Sequence, residues 1–556
     1  MNSQRTVRSA FLKLANAFFF LPALAFAGGA IQPDAGRTIQ EIAPPPAPPK
    51  PIVDINIKAP DVSTSETGGE TVIIKNVLIE GNTVFDNETL LNVLGETTDK
   101  SYDLAGLKQL ANQITTYYRN QGYPFARAII PAQAMQDGLV KIEVIEGRYN
   151  GSIKVFGDDK LVEGGQKFLN DLKHGDVIEN KKLERAMLIL SDQPGFSISP
   201  LMSPGDEVGT ANLEVNLIRE KKYGGEVGLD NFGNRFTGRA RAHANLFANS
   251  QFLFGDQFLL NTLYTEEDLW SGALSYSIPI GGSGLRARVG YAHTYYELGK
   301  DFKPLDANGT AKVTSAELSY PILRSQAANL IVAATYQYKK LNDRQDTVNV
   351  STNKHSNSIP ITLNFDLQDQ IWGGGVTYGA ISWTHGDLSL DSTLSAQDRI
   401  TAKTEGSFDK FNLDIARIQA LSGNFSFYGS LAAQATLDNL DSSEKFGLGG
   451  INGVRAYPSG EGFGDEGYLA RLELRYALKQ FTPYAFYDAG SVRINHDRFD
   501  TSKNRRSISG TGLGLRYDSA HWAVDSSVAW QGAGGDPTSD TKDDNPMYWL
   551  GGHYRF

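Results

Sequence analysis

The spacing of apolar and polar residues changes along the chain. Between residues 71 and 220, short alternating segments are mixed with runs whose apolar residues recur at helical spacing. Residues 221–556 show almost no helical spacing and consist of alternating segments interrupted by turns. Counting these segments predicts sixteen strands, which begin near residues 221, 237, 256, 269, 283, 309, 326, 355, 371, 408, 422, 466, 480, 508, 521 and 546.

The connections between these predicted strands alternate in length. An even number of strands, with tight turns at one end and long loops at the other, is typical of outer-membrane β-barrels. A soluble sandwich would also alternate, but its inner face would be apolar and its outer face polar. Short connections are predicted at 280–284 and 479–480, and long ones at 339–354, 385–407, 436–465 and 533–545.

One strand indicates which face of the predicted sheet is wet. Arg471, Glu473 and Arg475 alternate there with two leucines and a tyrosine. A barrel strand contacts lipid on one face and a water-filled lumen on the other, so we expect these charges to face the lumen. The last strand ends at Phe556, and its aromatic residues fit a lipid-interface girdle. The predicted fold class is mainly β, with a 16-stranded antiparallel transmembrane barrel over residues 221–556.

Two smaller α+β modules precede the predicted barrel, over residues 71–148 and 149–220. Each reads as strand, helix, helix, strand, strand. In the first, apolar residues from Leu104 to Tyr117 recur at helical spacing, and Gly122 stands where that helix should end. The shared element order indicates an internal repeat.

The N-terminal region predicts three further segments. Residues 1–27 combine basic residues, a short apolar run and a final Ala-Phe-Ala, as in a secretory signal peptide. Residues 28–43 contain a stretch that could form a short helix, although a disordered N-terminus is the alternative. Residues 44–70 include the run PPPAPPKP, which is extended and stiff, and therefore predict a linker.

Composition excludes several classes of function. The net charge of −10 argues against a nucleic-acid partner. The chain has no cysteine, which excludes disulfides and thiolate metal sites, and its eight histidines include no close pair. It has no phosphate-binding lysine loop and no nucleophile elbow. We therefore expect no metal, no cofactor, no nucleotide and no enzymatic activity.

Two motifs carry a resemblance to a known family. GVRAYPSGEGFGDEG spans residues 453–467, between the predicted eleventh and twelfth strands, and FYDAG spans residues 486–490 on the thirteenth. With the signal peptide, the two modules and the barrel, these motifs resemble the two-partner-secretion outer-membrane transporters, the TpsB class that exports haemagglutinins, haemolysins and related exoproteins. One departure is Ala456, where the family usually has glycine, and alanine narrows the allowed backbone there.

The resemblance implies roles for specific residues. The sixth extracellular loop would fold into the lumen, where Arg455 would meet Asp488 on the barrel wall. The family's loop motif falls on Val454, Ala456, Tyr457 and Pro458, its wall motif on Phe486 and Gly490, and its C-terminal assembly signal on Phe556. The family's plug helix corresponds to residues 28–43, with the linker running from the lumen to the periplasm.

The two modules resemble POTRA domains. The resemblance implies that they recognise the N-terminal secretion domain of a large exoprotein in the periplasm of a Gram-negative bacterium, before export without ATP. Their sheets have open edges, near residues 124–131 and 196–202, to which a client strand could be added. Outer-membrane lipid and the barrel-assembly machinery are the other expected partners.

Two alternatives keep the barrel but change its function. A barrel-assembly factor of the same superfamily shares the loop arginine motif, although such proteins generally have three or more POTRA domains. A passive diffusion porin would lack both the modules and the plug.

Overall fold

A computed structural model of the chain describes residues 32–43, 67–151 and 153–556. The signal peptide predicted for residues 1–27 lies outside the described residues, as do residues 28–31 and residues 44–66 of the predicted linker.

Sixteen antiparallel strands close into a barrel between Tyr223 and Arg555. Each strand pairs with its neighbours in the barrel, and the first strand pairs with the last over Glu226–Asp230 and Gly551–Arg555. The strands are β10 (Tyr223–Asp230), β11 (Arg241–Asn249), β12 (Gln257–Thr265), β13 (Trp270–Pro279), β14 (Arg286–Glu297), β15 (Ala307–Arg324), β16 (Ala328–Gln345), β17 (Val350–Asp369), β18 (Gly375–Leu390), β19 (Gly406–Ala420), β20 (Phe425–Thr436), β23 (Glu466–Tyr476), β24 (Phe481–Arg493), β25 (Arg505–Asp518), β26 (Trp522–Gln531) and β27 (Met547–Arg555).

The closed barrel of sixteen strands confirms the predicted fold class, and every strand begins within a few residues of its predicted start. The long connection predicted at 339–354 is wrong, because β16 runs to Gln345 and β17 begins at Val350. The polar residues that suggested a loop belong to strands, in which Lys339 and Leu341 are buried and the intervening Lys340 is exposed.

The longest connection, between β20 and β23, is the predicted sixth loop. It contains two short paired strands, β21 (Phe446–Gly447) and β22 (Phe463–Gly464). Another long connection, between β18 and β19, holds a short helix over Ser392–Asp398.

The two modules before the barrel have equivalent sheets. In each, the last strand pairs parallel with an earlier strand and antiparallel with the strand that precedes it in sequence. The first module contains β1 (Val72–Ile73), β2 (Asn76–Glu80), β3 (Ser101–Tyr102), β4 (Arg127–Ile129) and β5 (Leu139–Ile145), with α2 (Asn87–Leu94) and α3 (Leu104–Asn120). The second contains β6 (Arg148–Tyr149), β7 (Lys154–Phe156), β8 (Phe196–Pro204) and β9 (Thr210–Arg219), with a 3₁₀ segment (Val162–Leu169) and α4 (Asn180–Ser191).

Capping and apolar spacing explain the longest helix of the first module, α3. The Asp103 carboxylate accepts a hydrogen bond from the backbone N–H of Gly106 and so caps its N-terminus. Leu107, Leu110 and Ile114 lie on one face of the helix and are buried against the sheet. The positive φ of Gly122, at 94°, fits the predicted helix end there.

The second module is docked onto the barrel through the turn between β11 and β12. Phe254 from this turn is buried in the module's own hydrophobic core, with its ring 4.8 Å from that of Phe196. Arg286 of the barrel donates to the side chain of Gln193 at 2.9 Å, and Arg324 forms an ion pair with Asp192 at 2.7 Å. Because a barrel residue completes its core, the module is held rigidly at one end of the barrel.

The N-terminal helix α1 (Ala35–Glu41) packs within the barrel. The backbone N–H of Ala35 donates to Asp343 on β16, and Asp34 contacts Lys354 on β17. On its other side the helix contacts the sixth loop, where Gln40 donates to the carbonyl of Ser443. Among the described residues, no helix has the length and apolar character needed to cross a membrane.

Candidate functional site: the sixth loop and the N-terminal helix

Arg455 at the tip of the sixth loop is buried against the barrel wall, with 1% of its surface exposed. Its Nε and Nη2 atoms donate to the two carboxylate oxygens of Asp488 at 2.8 and 2.7 Å. Its Nη1 donates to Glu473 at 2.7 Å. This two-pronged contact fixes both the direction and the distance of the loop relative to β24.

Aromatic side chains enclose the guanidinium of Arg455. The group lies 3.6 Å from the ring centroid of Phe486, close enough for a cation–π interaction, and 5.9 Å from that of Tyr484. Trp549 on β27 donates its indole N–H to the Arg455 carbonyl at 2.7 Å. The loop tip therefore contacts β23, β24 and β27, which all precede the seam where β27 pairs with β10.

The three lumen charges predicted from β23 lie together in this cluster. Glu473 accepts from Arg475 at 2.8 Å as well as from Arg455. Arg471 is looser, at 3.9 Å from Asp488 and 4.0 Å from Glu473, and donates to the backbone of Asn452. Leu472 and Leu474, which alternate with these charges, are exposed on the opposite, outward side of the barrel. Sequence reasoning missed Arg516, whose guanidinium lies 3.0 Å from Glu473.

The other motif residues form the packing between loop and wall. Val454, Ala456 and Tyr457 are fully buried, and the Tyr457 hydroxyl donates to the carbonyl of Gly535 at 2.9 Å. Pro458, also buried, follows them. Ala456 lies against Gly510, where an added Cβ would be 2.3 Å from the Ala456 Cβ. The alanine thus fits because the facing wall residue is a glycine.

The wall glycine Gly490 provides similar room for the loop. A Cβ at this position would lie 2.7 Å from Leu448 of the loop. Phe556 lies elsewhere, at the seam, where its backbone N–H donates to Gly225 at 3.1 Å. Its role as an assembly signal remains a prediction.

Sequence reasoning missed further anchors of the loop. Glu461, fully buried, accepts from Arg506 at 2.7 Å and from the backbone N–H groups of Thr538 and Ser539 at 2.8 Å. Glu444 forms ion pairs with Lys339 and Lys410 of the wall. The acidic residues in a glycine-rich loop could have indicated such anchors. Their partners could not be identified because they are distant in the sequence.

The N-terminal helix is held by polar contacts and by an apolar cluster in which Ala35 is buried and against which Ile39 packs. Asp34 caps the helix by accepting from the backbone N–H of Arg37 at 2.8 Å, and it also accepts from the Ser442 hydroxyl at 2.6 Å. Gly36 packs so closely on the loop that a Cβ there would lie 2.3 Å from the Ser442 oxygen. The part of the chain that the structure describes contains no group of three side chains suited to a metal ion.

Comparisons with known proteins agree with this architecture. The family model described as haemolysin secretion/activation protein ShlB/FhaC/HecB matches residues 209–517, and the model of the ShlB-type POTRA domain matches residues 72–147. The heme/hemopexin transporter protein HuxB of Haemophilus influenzae (strain 86-028NP) is 29% identical over 469 residues, which is 82% of each chain. The outer membrane transporter CdiB of Dickeya dadantii (strain 3937) is 23% identical over 474 residues, 80% of this chain and 81% of that protein.

A solved structure supports the fold itself. The structure of CdiB from Escherichia coli superposes with a TM-score of 0.72 at 19% identity, covering 89% of this chain and 92% of that chain. At this identity the likeness shows a shared fold.

Proposed function

This chain belongs to the haemolysin secretion/activation protein family ShlB/FhaC/HecB, and from that premise we propose that it is an outer-membrane pore that exports a partner exoprotein without ATP. The relatives that it matches are named as transporters, of heme/hemopexin and of haemolysin among others. The observation that carries the proposal is a closed barrel filled by its own loop and helix and preceded by two α+β modules, of which the first is matched as a POTRA domain. Family membership favours export over barrel assembly.

The export assay compares the secretion of one exoprotein with the assembly of outer-membrane barrels in general. In a strain that lacks this gene, the exoprotein should remain in the periplasm while other outer-membrane barrels assemble normally. The measurement is an immunoblot of the culture medium together with heat-modifiability of several outer-membrane proteins. A general loss of barrels would favour the assembly factor and refute specific export.

We assign α1 the role of a plug. A sixteen-strand barrel encloses a lumen wide enough to leak solutes when it is open. The helix supports this role because its contacts join two wall strands to the sixth loop. Deletion of residues 32–43 should raise the single-channel conductance of the reconstituted protein. An unchanged conductance would refute the plug.

The periplasmic modules are the proposed receptors for the exoprotein's N-terminal secretion domain, and β8 is the longer of the two edges predicted for a client strand. The backbones of Gly195 and Gly205 form hydrogen bonds on the side of the sheet where the neighbouring strand β9 lies. Because hydrogen-bonding direction alternates along an antiparallel strand, the even-numbered residues between them direct their backbone N–H and C=O groups to the free edge. Pro200 and Pro204 therefore provide no N–H there, and the free edge donates only through Phe196, Ile198 and Met202. A client strand would pair best over residues 196–199.

A matched pair of variants tests pairing at this edge. Ile198→Pro removes one edge N–H together with a side chain, whereas Ile198→Ala removes only the side chain. Co-purification of the exoprotein's N-terminal region should fall further with the proline variant. Equal retention by both variants would argue against strand addition at this position.

The remaining partners follow from location. The barrel belongs to the outer membrane, and the POTRA modules belong to the periplasm. Contact with lipid along the outward leucines of β23 and passage through the barrel-assembly machinery during biogenesis are further parts of the proposal.

A further inference from the structure

Lys354 is shared between the plug and the sixth loop. It lies on the inward side of β17, and its side chain is 8% exposed. Its ammonium nitrogen is 2.7 Å from a carboxylate oxygen of Asp441, 3.0 Å from the Ser442 hydroxyl and 3.4 Å from a carboxylate oxygen of Asp34. One buried cation therefore has one acidic partner in the loop and another in the plug.

The two carboxylates differ in how they depend on the lysine. Asp441 makes the closer contact and belongs to a loop that other ion pairs hold to the wall, including those of Glu444. Asp34 makes the longer contact with Lys354. Its hydrogen bond from the backbone N–H of Arg37 lies within the helical segment, so this bond persists when the helix leaves the barrel. Removing Asp34 therefore leaves Lys354 paired, and the carboxylate that departs remains a helix cap.

We propose that Lys354 is a positioning residue that holds the plug by exchange. It binds Asp34 while α1 is docked and is neutralised by Asp441 alone when α1 withdraws. This inference rests on the plug role proposed above. Breaking a buried ion pair is costly when it leaves an unpaired charge, and the second carboxylate removes that cost from plug release.

The plug makes further contacts, including the apolar packing of Ala35 and Ile39 against the barrel cluster around Phe236. Gly36 packs against the loop without a side chain, and Ala35 bonds to Asp343 through its backbone. Asp343 also accepts from the Tyr296 hydroxyl, so it retains a donor when the helix departs. Arg37 lies 5.1 Å from the ring of Phe463, and Glu41 makes a 3.5 Å contact with Asn234. The polar contacts to Asp343 and Lys354 therefore leave neither wall residue without a partner when the helix is released.

The exchange predicts opposite effects for two similar substitutions. Asp34→Asn keeps the helix cap but removes the charge that binds Lys354, so the plug should leave more often. Asp441→Asn leaves Lys354 dependent on Asp34, so release would strand a buried lysine and the plug should stay longer. In planar bilayers, the open fraction of the reconstituted protein should rise on the order of fivefold in the first variant and fall by a similar factor in the second.

Shifts in the same direction would overturn the proposal, because they would mean that both carboxylates merely stabilise one arrangement. An unchanged open fraction in Asp441→Asn would also overturn it. Lys354→Arg should retain most of the closed fraction, whereas Lys354→Gln should open the channel. A structural role alone would lower the melting temperature without producing opposite signs in the conductance.

A separate substitution distinguishes failure of the exchange from failure of the plug. Gly36→Val places methyl groups where even a Cβ would lie 2.6 Å from the Ser443 backbone nitrogen, so it should undock the helix while both carboxylate partners of Lys354 are retained. Ala43→Val, just beyond the helix at an exposed residue, is the matched control. If Gly36→Val and the deletion of residues 32–43 both leave conductance unchanged, the plug fails. If they open the channel while the two Asn variants shift together, only the exchange fails.

Discussion

Arg455 and Lys354 are both buried cations that join the lumen contents to the barrel wall, but they are paired differently. Arg455 belongs to the loop, and loss of its side chain would leave the fully buried Asp488 with no cation nearer than Arg471, at 3.9 Å, among the described residues. Lys354 belongs to the wall and has a second carboxylate at 2.7 Å if the plug leaves. The same kind of ion pair is therefore fixed at Arg455 and exchangeable at Lys354. The difference is whether the buried charge that stays behind still has a partner of opposite charge.

The largest expected effect comes from breaking the fixed site. Arg455→Ala removes three side-chain hydrogen bonds to Asp488 and Glu473, and such a loss costs about 3–5 kcal/mol when the remaining charges stay buried. Export of the exoprotein should be abolished or sharply reduced while the barrel still assembles. The measurement is secreted exoprotein per heat-modifiable barrel.

Arg471→Ala is the matched control for this prediction. Arg471 is close to the same two carboxylates but makes no contact with them shorter than 3.9 Å. Its removal should reduce export much less. Equal losses in both variants would mean that the general positive charge of the cluster matters and the fixed geometry of Arg455 does not.

The barrel was predictable because its signal is local. Alternation along each strand and turns between strands fix the count of sixteen without knowledge of any partner, although polar residues that extend β16 and β17 were misinterpreted as a loop. The family motif similarly indicated Arg455 and Asp488, which the structure brings together.

The exchangeable site was not predictable. Asp34 lies 320 residues before Lys354, and Asp441 lies 87 residues after it. The three belong to a helix cap, a strand and a loop, and no local pattern connects them. Glu461 and Arg516 were missed for the same reason, since their partners lie in other loops or strands. Ion pairs inside a barrel depend on the register of the paired strands and on how the barrel closes. Neither can be derived from the local pattern of a single sequence.

The contact of Phe254 with the second module is also fixed, but it is apolar. It tests whether firm attachment to the barrel requires charged groups. Phe254→Ala empties a position in the core of the second module, and such substitutions cost about 3–5 kcal/mol. We expect the module to separate from the barrel turn and proteolysis between residues 149 and 220 to increase. Phe252→Ala, two residues away and 70% exposed, should have little effect. Similar cleavage of both variants would show that the Asp192 ion pair and the Gln193 hydrogen bond hold the module without Phe254.

The smallest expected effect concerns Glu146, a buried carboxylate that joins the two modules. It accepts from the backbone N–H of Val84 at 2.8 Å, from the Tyr118 hydroxyl at 3.1 Å and from Arg148 at 2.7 Å. Burial alone would raise its pKa, but hydrogen bonds from Thr83, Val84 and Tyr118 outweigh burial, so the pKa lies below its ordinary value of 4.5. Because the folded-state pKa is lowered, its stabilisation is present above pH 4.5 and is lost as the pH falls through the folded-state value.

Thermal unfolding of the periplasmic modules in the full-length protein, recorded from pH 6 downwards, measures this contribution, which should be about 1 kcal/mol. Glu146→Gln should flatten the pH dependence below 4.5, because glutamine does not titrate. Glu143→Gln, on the less buried face of β5, which ends one residue before Glu146, should leave it intact. Like Asp488, Glu146 has no second cation within hydrogen-bonding distance among the described residues, so its protonation should loosen the junction between the modules. An unchanged slope in Glu146→Gln would mean that this contact is exchangeable after all, with other donors and acceptors taking over when the charge is lost.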